Sequence, residues 1–285
     1  MRKKQFLAQI QHLDAQRDHL EIARLVVYHD FTWDTVRSLE FALFRTFAVP
    51  SIGNLLLKTG EFTRRTQKRY DDTDLILGEI IENGYDSERG KTALRRMNRM
   101  HTRYDISNDD MRYVLSTFVL EPYRWNRRFG YRISTEKELE AAHALWYEIG
   151  KRMGIQDIPP TFREMEQFNI AYENSHFAYS EGGRQVADAT LNLFLSWYLP
   201  PFLWKVGRPF VLALADEPLL QALKYPKPSR LVGGLVQLVM AIRKPILACI
   251  PLPKKPVLRT KRHVKTYPEG YEIEELGVNI PEKPF

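Results

Sequence analysis

Cysteine is almost absent. Cys249 is the sole thiol in 285 residues, which excludes an intramolecular disulfide framework and any cysteine-based zinc centre. No His-Glu-x-x-His, no Walker loop and no Gly-x-Gly-x-x-Gly occurs, so the usual signatures of zinc hydrolases, nucleoside triphosphatases and dinucleotide enzymes are missing. A Gly-x-Ser-x-Gly elbow is missing too. Long apolar runs are scarce. The longest, 231–242, is interrupted by Gln237 and is predicted to end at Arg243-Lys244-Pro245, short of the roughly 20 residues a membrane span needs. Gln9, Gln11, His12 and Asp14 break the apolar stretch that a signal peptide would place after Met1-Arg2-Lys3-Lys4, which predicts a cytoplasmic protein.

What is present is helical patterning. Apolar residues recur at three- and four-residue spacing over 17–28 and over 33–49, the second run halted by Pro50, and no segment keeps a period of two. Asp71-Asp72-Thr73-Asp74 reads as the solvated start of a helix through Ile81; the Asp-Asp-x-x-Asp spacing of magnesium-diphosphate sites fails. Ser107 and Thr135 begin capping boxes, and 111–120 is apolar nearly all round, which predicts a central helix ending at Glu121-Pro122. Thr161 caps a helix running towards His176, and Gly182-Gly183 is expected to break the chain. The fold class is therefore all-α: one helical domain over 1–252, with a Pro- and charge-rich tail over 253–285 wrapping it. Lys254, Lys255, Arg259, Lys261, Arg262 and Lys265 crowd that tail and account for most of the +7 net charge, but no nucleic-acid-binding motif accompanies them. Two readings stay open for the aromatic stretch 197–204 and for 231–242: core, or peripheral contact with a membrane interface.

His101 is the residue with most to say about chemistry. At about 100° per residue, Leu94, Met97, Asn98, His101, Tyr104 and Asp105 share one helix face, and Arg95, Arg96, Arg99 and Arg103 the other. An inward imidazole is either a hydrogen-bonded core residue or a ligand for something held in the core. A haem needs such an imidazole, an apolar slot, and cations for its propionates. Arg124 and Arg127 are candidates for the last role, and His143, also on an apolar stripe, is the rival ligand.

The run Arg95-Arg96-Met97-Asn98-Arg99-Met100-His101, followed by Ile106-Ser107-Asn108-Asp109-Asp110-Met111, resembles the signature of the MpaB-type oxygenase family. Its fungal members cleave the farnesyl chain of meroterpenoid intermediates, and the wider group includes the latex-clearing rubber oxygenases. Leu39 to Thr46, Val49-Pro50-Ser51-Ile52, Thr59-Gly60-Glu61-Phe62, Lys68-Arg69-Tyr70-Asp71-Asp72-Thr73, Val186 to Thr190 and Tyr267-Pro268-Glu269-Gly270-Tyr271 are similar as well, in order along most of the chain. The resemblance implies a partly globin-like core holding a b-type haem, with His101 as the iron ligand. It further implies Lys58 and Thr59 on the dioxygen side, with Leu55 where an arginine is expected, and Glu40 as the catalytic glutamate. The implied activity is oxygenation or cleavage of a double bond in an isoprenoid-like substrate by dioxygen. A haem peroxidase or oxidase, and a non-enzymatic haem or lipid carrier, are the alternatives.

Overall fold

A computed structural model describes residues 3–278, so the ends of the expected domain and tail, 1–2 and 279–285, lie outside the described residues. Helices form where caps and apolar spacing coincide. α1 (Lys3–His12) and α2 (His19–Leu25) bury Phe6, Ile10 and Ile22 in a side cluster. α3 (Thr32–Phe47) leads into α4 (Pro50–Thr59), which begins on a proline that needs no helical N–H and stops at Gly60, held at φ +74°. α5 (Glu61–Arg64), α6 (Thr66–Asn83) and α7 (Glu88–His101) follow. Ser107 accepts from the Asp110 N–H to cap α8 (Asn108–Phe129), and a full Thr135/Glu138 capping box opens α9 (Glu136–Arg152). Thr161 caps α10 (Phe162–His176). α11 (Glu181–Ser196), α12 (Trp204–Leu212), α13 (Glu217–Ala222) and α14 (Arg230–Cys249) complete the set, and no named strand occurs among the described residues. The all-α reading holds.

α8 is central, burying Tyr113, Leu115, Val119 and Leu120 and packing against α3, α9 and α10. It does not stop at Pro122. The helix runs on to Phe129 because Trp125 and Phe129 are buried and Glu121 is anchored in an ion-pair network, which together outweigh the roughly 3 kcal/mol cost of an interior proline. At that network's centre, buried Arg45 of α3 forks onto Glu173 of α10 (2.7 and 2.5 Å) and reaches Asp216 (2.7 Å) and Glu121 (3.4 Å).

Three further expectations are corrected. Gly182-Gly183 does not break the chain; both lie inside α11, where its backbone crosses α4. A Cβ on Gly53 would stand 2.6 Å from the Gly183 Cα, and one on Gly183 would stand 2.1 Å from the Phe47 carbonyl. Asp71 and Asp72 do not open a helix. α6 starts at Thr66, and both carboxylates are buried under the C-terminal segment, where Thr266 donates to Asp71 (2.6 Å) and Lys68 to Asp72 (2.9 Å). Arg96 does not face solvent with Arg95, Arg99 and Arg103: the same segment covers it, and it donates to the Leu276 and Val278 carbonyls, each at 2.7 Å.

The apolar run 231–242 neither ends at Arg243 nor lies in the core. α14 continues through Pro245 to Cys249, so it is long and apolar enough, by length and composition, to cross a membrane, and little of it is buried. The 197–204 stretch is also largely outside the core, with Tyr198 and Phe202 exposed.

The close crossing of α4 and α11 yields a prediction. Gly183→Ala should lower unfolding free energy by about 1–3 kcal/mol, as overpacking does, whereas Gly233→Ala on the open face of α14, where a Cβ meets nothing within 4 Å, should be neutral or stabilising. Urea denaturation of both variants checks this; equal stabilities would refute it.

Candidate functional site

α7 ends at His101, and the fold brings α4, α6, α8 and α9 around it to enclose an apolar cavity of about 290 Å³. Leu55, Met97, Met111, Phe118 and Trp146 are among the residues of its apolar wall. The described end of the tail closes it: Gly277 and Val278 line the cavity, and Gly277 sits at φ +82° so close to Met100 that an added Cβ would stand 2.2 Å from its sulfur. Only glycine fits there, because both the backbone angle and the contact exclude a side chain.

His101 is on the cavity wall, as its helix face implied, with buried Leu94 and Met97 beside it. Its Nδ1 is buried, with no hydrogen-bond partner among the described residues. Burial, reinforced by the positive charge of Arg69, pushes its pKa down to about 4, so the ring is neutral at physiological pH. The rival is otherwise engaged. His143 is buried, lines neither cavity described here, and places Nε2 2.9 Å from the Pro159 carbonyl oxygen, the bond of an ordinary core histidine.

The other expected site residues are scattered. Thr59 lines the His101 cavity and donates its hydroxyl proton to the Leu56 carbonyl (2.7 Å); Leu55 lines it too. Lys58, one residue away on α4, is exposed and outside the lining. Arg124 is held by Glu121 (2.7 Å) and Asn169 (2.7 Å) in the Arg45 network, and Arg127 is exposed beside the Tyr123 hydroxyl; neither lines the cavity. The cation that does line it is Arg69 of α6, which bonds the Thr73 hydroxyl and lies over the Phe62 ring at 4.9 Å. Burial lowers its pKa, and no carboxylate is ion-paired to it among the described residues. The segment 68–73 carried part of the family resemblance, but no pattern singled out Arg69, since helical spacing alone does not say which arginine is enclosed.

Glu40 faces a second cavity of about 160 Å³, between α2, α3, α6, α8 and α9. Leu43, Thr73, Leu77, Phe118 and Trp146 line both chambers and form the wall between them. Arg37 and Tyr70 donate to Glu40 Oε1 at 2.6 and 2.9 Å. Burial raises the Glu40 carboxyl to a pKa of about 7 in spite of these donors.

With this geometry in hand, similarity to known proteins becomes decisive. Residues 40–243 match the family "ER-bound oxygenase mpaB/B'/Rubber oxygenase, catalytic domain". The chain belongs to this family. It is 29% identical over 247 residues to the ER-bound oxygenase mpaB' of Penicillium brevicompactum, covering 80% of this chain and 58% of that protein. It is 30% identical over 214 residues to the ER-bound oxygenase mpaB of Penicillium roqueforti (strain FM164), covering 69% of this chain and 72% of that protein. The mpaB of P. brevicompactum is 29% identical over 229 residues, and there too the match spans 58% of the relative. The chain thus spans a little over half the length of two of these relatives. Both His101 and the two chambers fall within the matched region or are walled mainly by it.

Glu40 yields a pH prediction. Unfolded, the carboxyl ionises near 4.5; folded, it keeps its proton to about pH 7. The folded state therefore binds more protons in this window, and stability from this group is full below about pH 4.5 and lost as pH rises to 7. Glu40→Gln should remove that dependence, so the difference in stability between the two proteins should change by on the order of 3 kcal/mol across the window. Denaturation of both proteins at several pH values measures it, and parallel curves would contradict it.

Proposed function

We propose that the protein is a haem-dependent oxygenase that uses dioxygen to oxidise or cleave a double bond in a hydrophobic, isoprenoid-like substrate. The observation that carries this reading is the half-buried, neutral imidazole of His101 on an apolar cavity wall, its Nδ1 without a hydrogen-bond partner among the described residues, in a chain of an oxygenase family. Among the described residues no group of three His, Cys, Asp or Glu side chains could hold a metal ion by itself, and His101 is the one imidazole lining the cavity. That suits a b-type haem, which would need a single imidazole from the protein and would be held by His101. When bound, the haem supplies the dioxygen chemistry that side chains lack.

The chain's own residues do the rest. His101 offers a lone pair without first losing a proton. Arg69, with no carboxylate ion-paired to it among the described residues, would hold a propionate, the role first expected of Arg124 and Arg127. Met111, Phe118 and Trp146 exclude water and favour an apolar chain. Thr59 keeps its hydroxyl oxygen at the cavity while its proton rests on the Leu56 carbonyl. Lys58 takes part only by swinging its long stem in from solvent. A substrate longer than the first chamber extends past Leu43 and Leu77 towards Glu40, whose Oε1 is occupied by two donors and whose Oε2 is left to take or give a proton. The unit is residues 1–252, partly globin-like, with 253–285 as a tail on the same domain, and it works on the cytoplasmic side in peripheral association with a membrane.

Haem titration followed by absorption, with a pyridine haemochrome assay, tests the cofactor: about one b-type haem per chain is expected. His101→Ala should weaken haem binding at least tenfold with helicity unchanged. Full retention of haem would reassign the ligand. Incorporation of labelled dioxygen into carbonyl products of an isoprenoid alkene tests the reaction. Peroxide-driven dye oxidation without such products would instead mark a peroxidase, and haem binding with neither activity would mark a carrier.

A further inference from the structure

A helix of a soluble domain normally turns its apolar face inward, and α14 does the reverse. Leu231, Leu235, Leu238, Val239, Ile242 and Ile246 follow three- and four-residue spacing along it, and all are exposed, Leu231 to 86%. The opposite face holds the helix to the body: Val236 and Met240 pack with Trp125 and Phe129, Arg243 pairs with buried Asp34 (2.7 Å), and Lys244 donates to the Arg128 carbonyl (2.9 Å). α12 packs beside α14 and adds exposed Val206 and Phe210, and the turn Pro201–Leu203 adds Phe202, 80% exposed. Isolated exposed apolar residues are ordinary; a continuous face of this size marks an interaction surface.

Charge says what kind. Between residues 189 and 268 stand thirteen Lys and Arg, with only Asp216 and Glu217 as acids, in a chain whose totals are 42 and 35. Lys205, Arg230, Lys254 and Lys255 are exposed around the apolar face. An apolar stripe with aromatics at its edge and cations at its rim matches the layered chemistry of an anionic bilayer, acyl chains inside and phosphate outside.

We propose that α14, the Pro201–Leu203 turn and α12 form a docking surface for an anionic phospholipid bilayer, with α14 lying in the interface along its length of about 30 Å. The inference specifies the peripheral membrane association proposed above, and it depends on neither haem nor substrate. Lying flat keeps Val236, Met240 and the Arg243–Asp34 pair in place; crossing the bilayer would pull them from the body. The surface also approaches the second chamber. Arg37 donates to the exposed Tyr198 hydroxyl (3.1 Å) at one edge of the surface and to Glu40 in the second chamber, so an apolar substrate dissolved in the bilayer would meet the protein one side chain from its cavity.

The test is co-sedimentation of the full chain with vesicles of phosphatidylcholine alone or of phosphatidylcholine with phosphatidylserine. Binding to the anionic vesicles is expected, with release by alkaline carbonate and weakening in high salt. Leu238→Glu with Ile242→Glu, both on the exposed stripe, should bind at least tenfold less while keeping its melting temperature. Lys254→Glu with Lys255→Glu should also bind less, without touching the apolar stripe. The lone thiol, Cys249, is exposed at the end of α14, and an environment-sensitive fluorophore on it should shift to the blue with anionic vesicles. Equal vesicle binding by the Leu238/Ile242 variant would keep membrane association and overturn this surface. Absence of vesicle binding by the folded wild type would overturn both. Binding that resists carbonate would make α14 a span. Lipid-free dimers broken by the same substitutions, without vesicle binding, would assign the face to a second copy of the chain.

Discussion

The guanidinium of Arg45 ties the structure together. Buried on α3, it binds carboxylates from α8 and α10 and the cap residue of α13, bringing elements far apart in sequence to one point. Arg124 shares two of those carboxylates, and Asn169 and Ser116 continue the network. Removing one member would leave a buried charge without its partner, which is far more costly than never having placed the network there. That constraint explains why α8 runs through Pro122: the helix must carry both Glu121 and the aromatic residues beyond it. Since α8 walls both chambers, the ion network also sets the shape of the cavities.

Among the buried side-chain atoms without a partner, His101 Nδ1 stands out, because the others, Nε of Arg37, Arg112 and Arg259, belong to guanidiniums paired through their other nitrogens. Buried polar groups nearly always find partners, and Asp71, Asp72 and Glu79, with half-buried Glu82, find theirs in the tail that straps α6 and α7: Thr266, Tyr267, Tyr271 and the backbone of Arg259 donate to them in turn. His101 has none at Nδ1 among the described residues, and it lies where Gly277 of the same tail meets Met100. The fold thus combines a largely apolar cavity with one neutral base on its wall, as the proposed haem ligation requires. The polar groups of the second chamber, Glu40 with Tyr70 and Arg37, lie across a wall of apolar side chains, and the two chambers keep distinct chemistries within one core.

The outer surface is divided as sharply. Acids and bases mix over most of the chain, while the region of α12 and α14 is apolar and basic. The inward-facing residues of α14 are few, so the helix is held by a small apolar contact, one buried ion pair and lysine bonds to backbone carbonyls, Lys244 to Arg128 and Lys3 to Leu247, and it keeps most of its apolar side chains outside.

Much of this architecture was legible in the chain. Period and caps are local properties: Ser107, Thr135, Thr161 and Gly60 act within a few residues of where they stand, so helix type, several boundaries and the inward face of His101 followed from spacing. Order along the chain carried the family resemblance. What depended on distant partners was not legible. Pro122 and Gly182-Gly183 read as breakers because the ion network and the α4 crossing that keep them helical come from elsewhere in the chain. Arg96 and Asp72 read as solvated because the segment that covers them lies some 170 to 200 positions away. Arg69, Arg124 and Lys58 are cations on helices in the sequence, and tertiary packing alone decided that the first enters the cavity, the second joins the Arg45 network and the third meets water. Local patterns specify conformation through short-range hydrogen bonds and sterics; burial and charge pairing are set by whatever the rest of the chain brings to the same place.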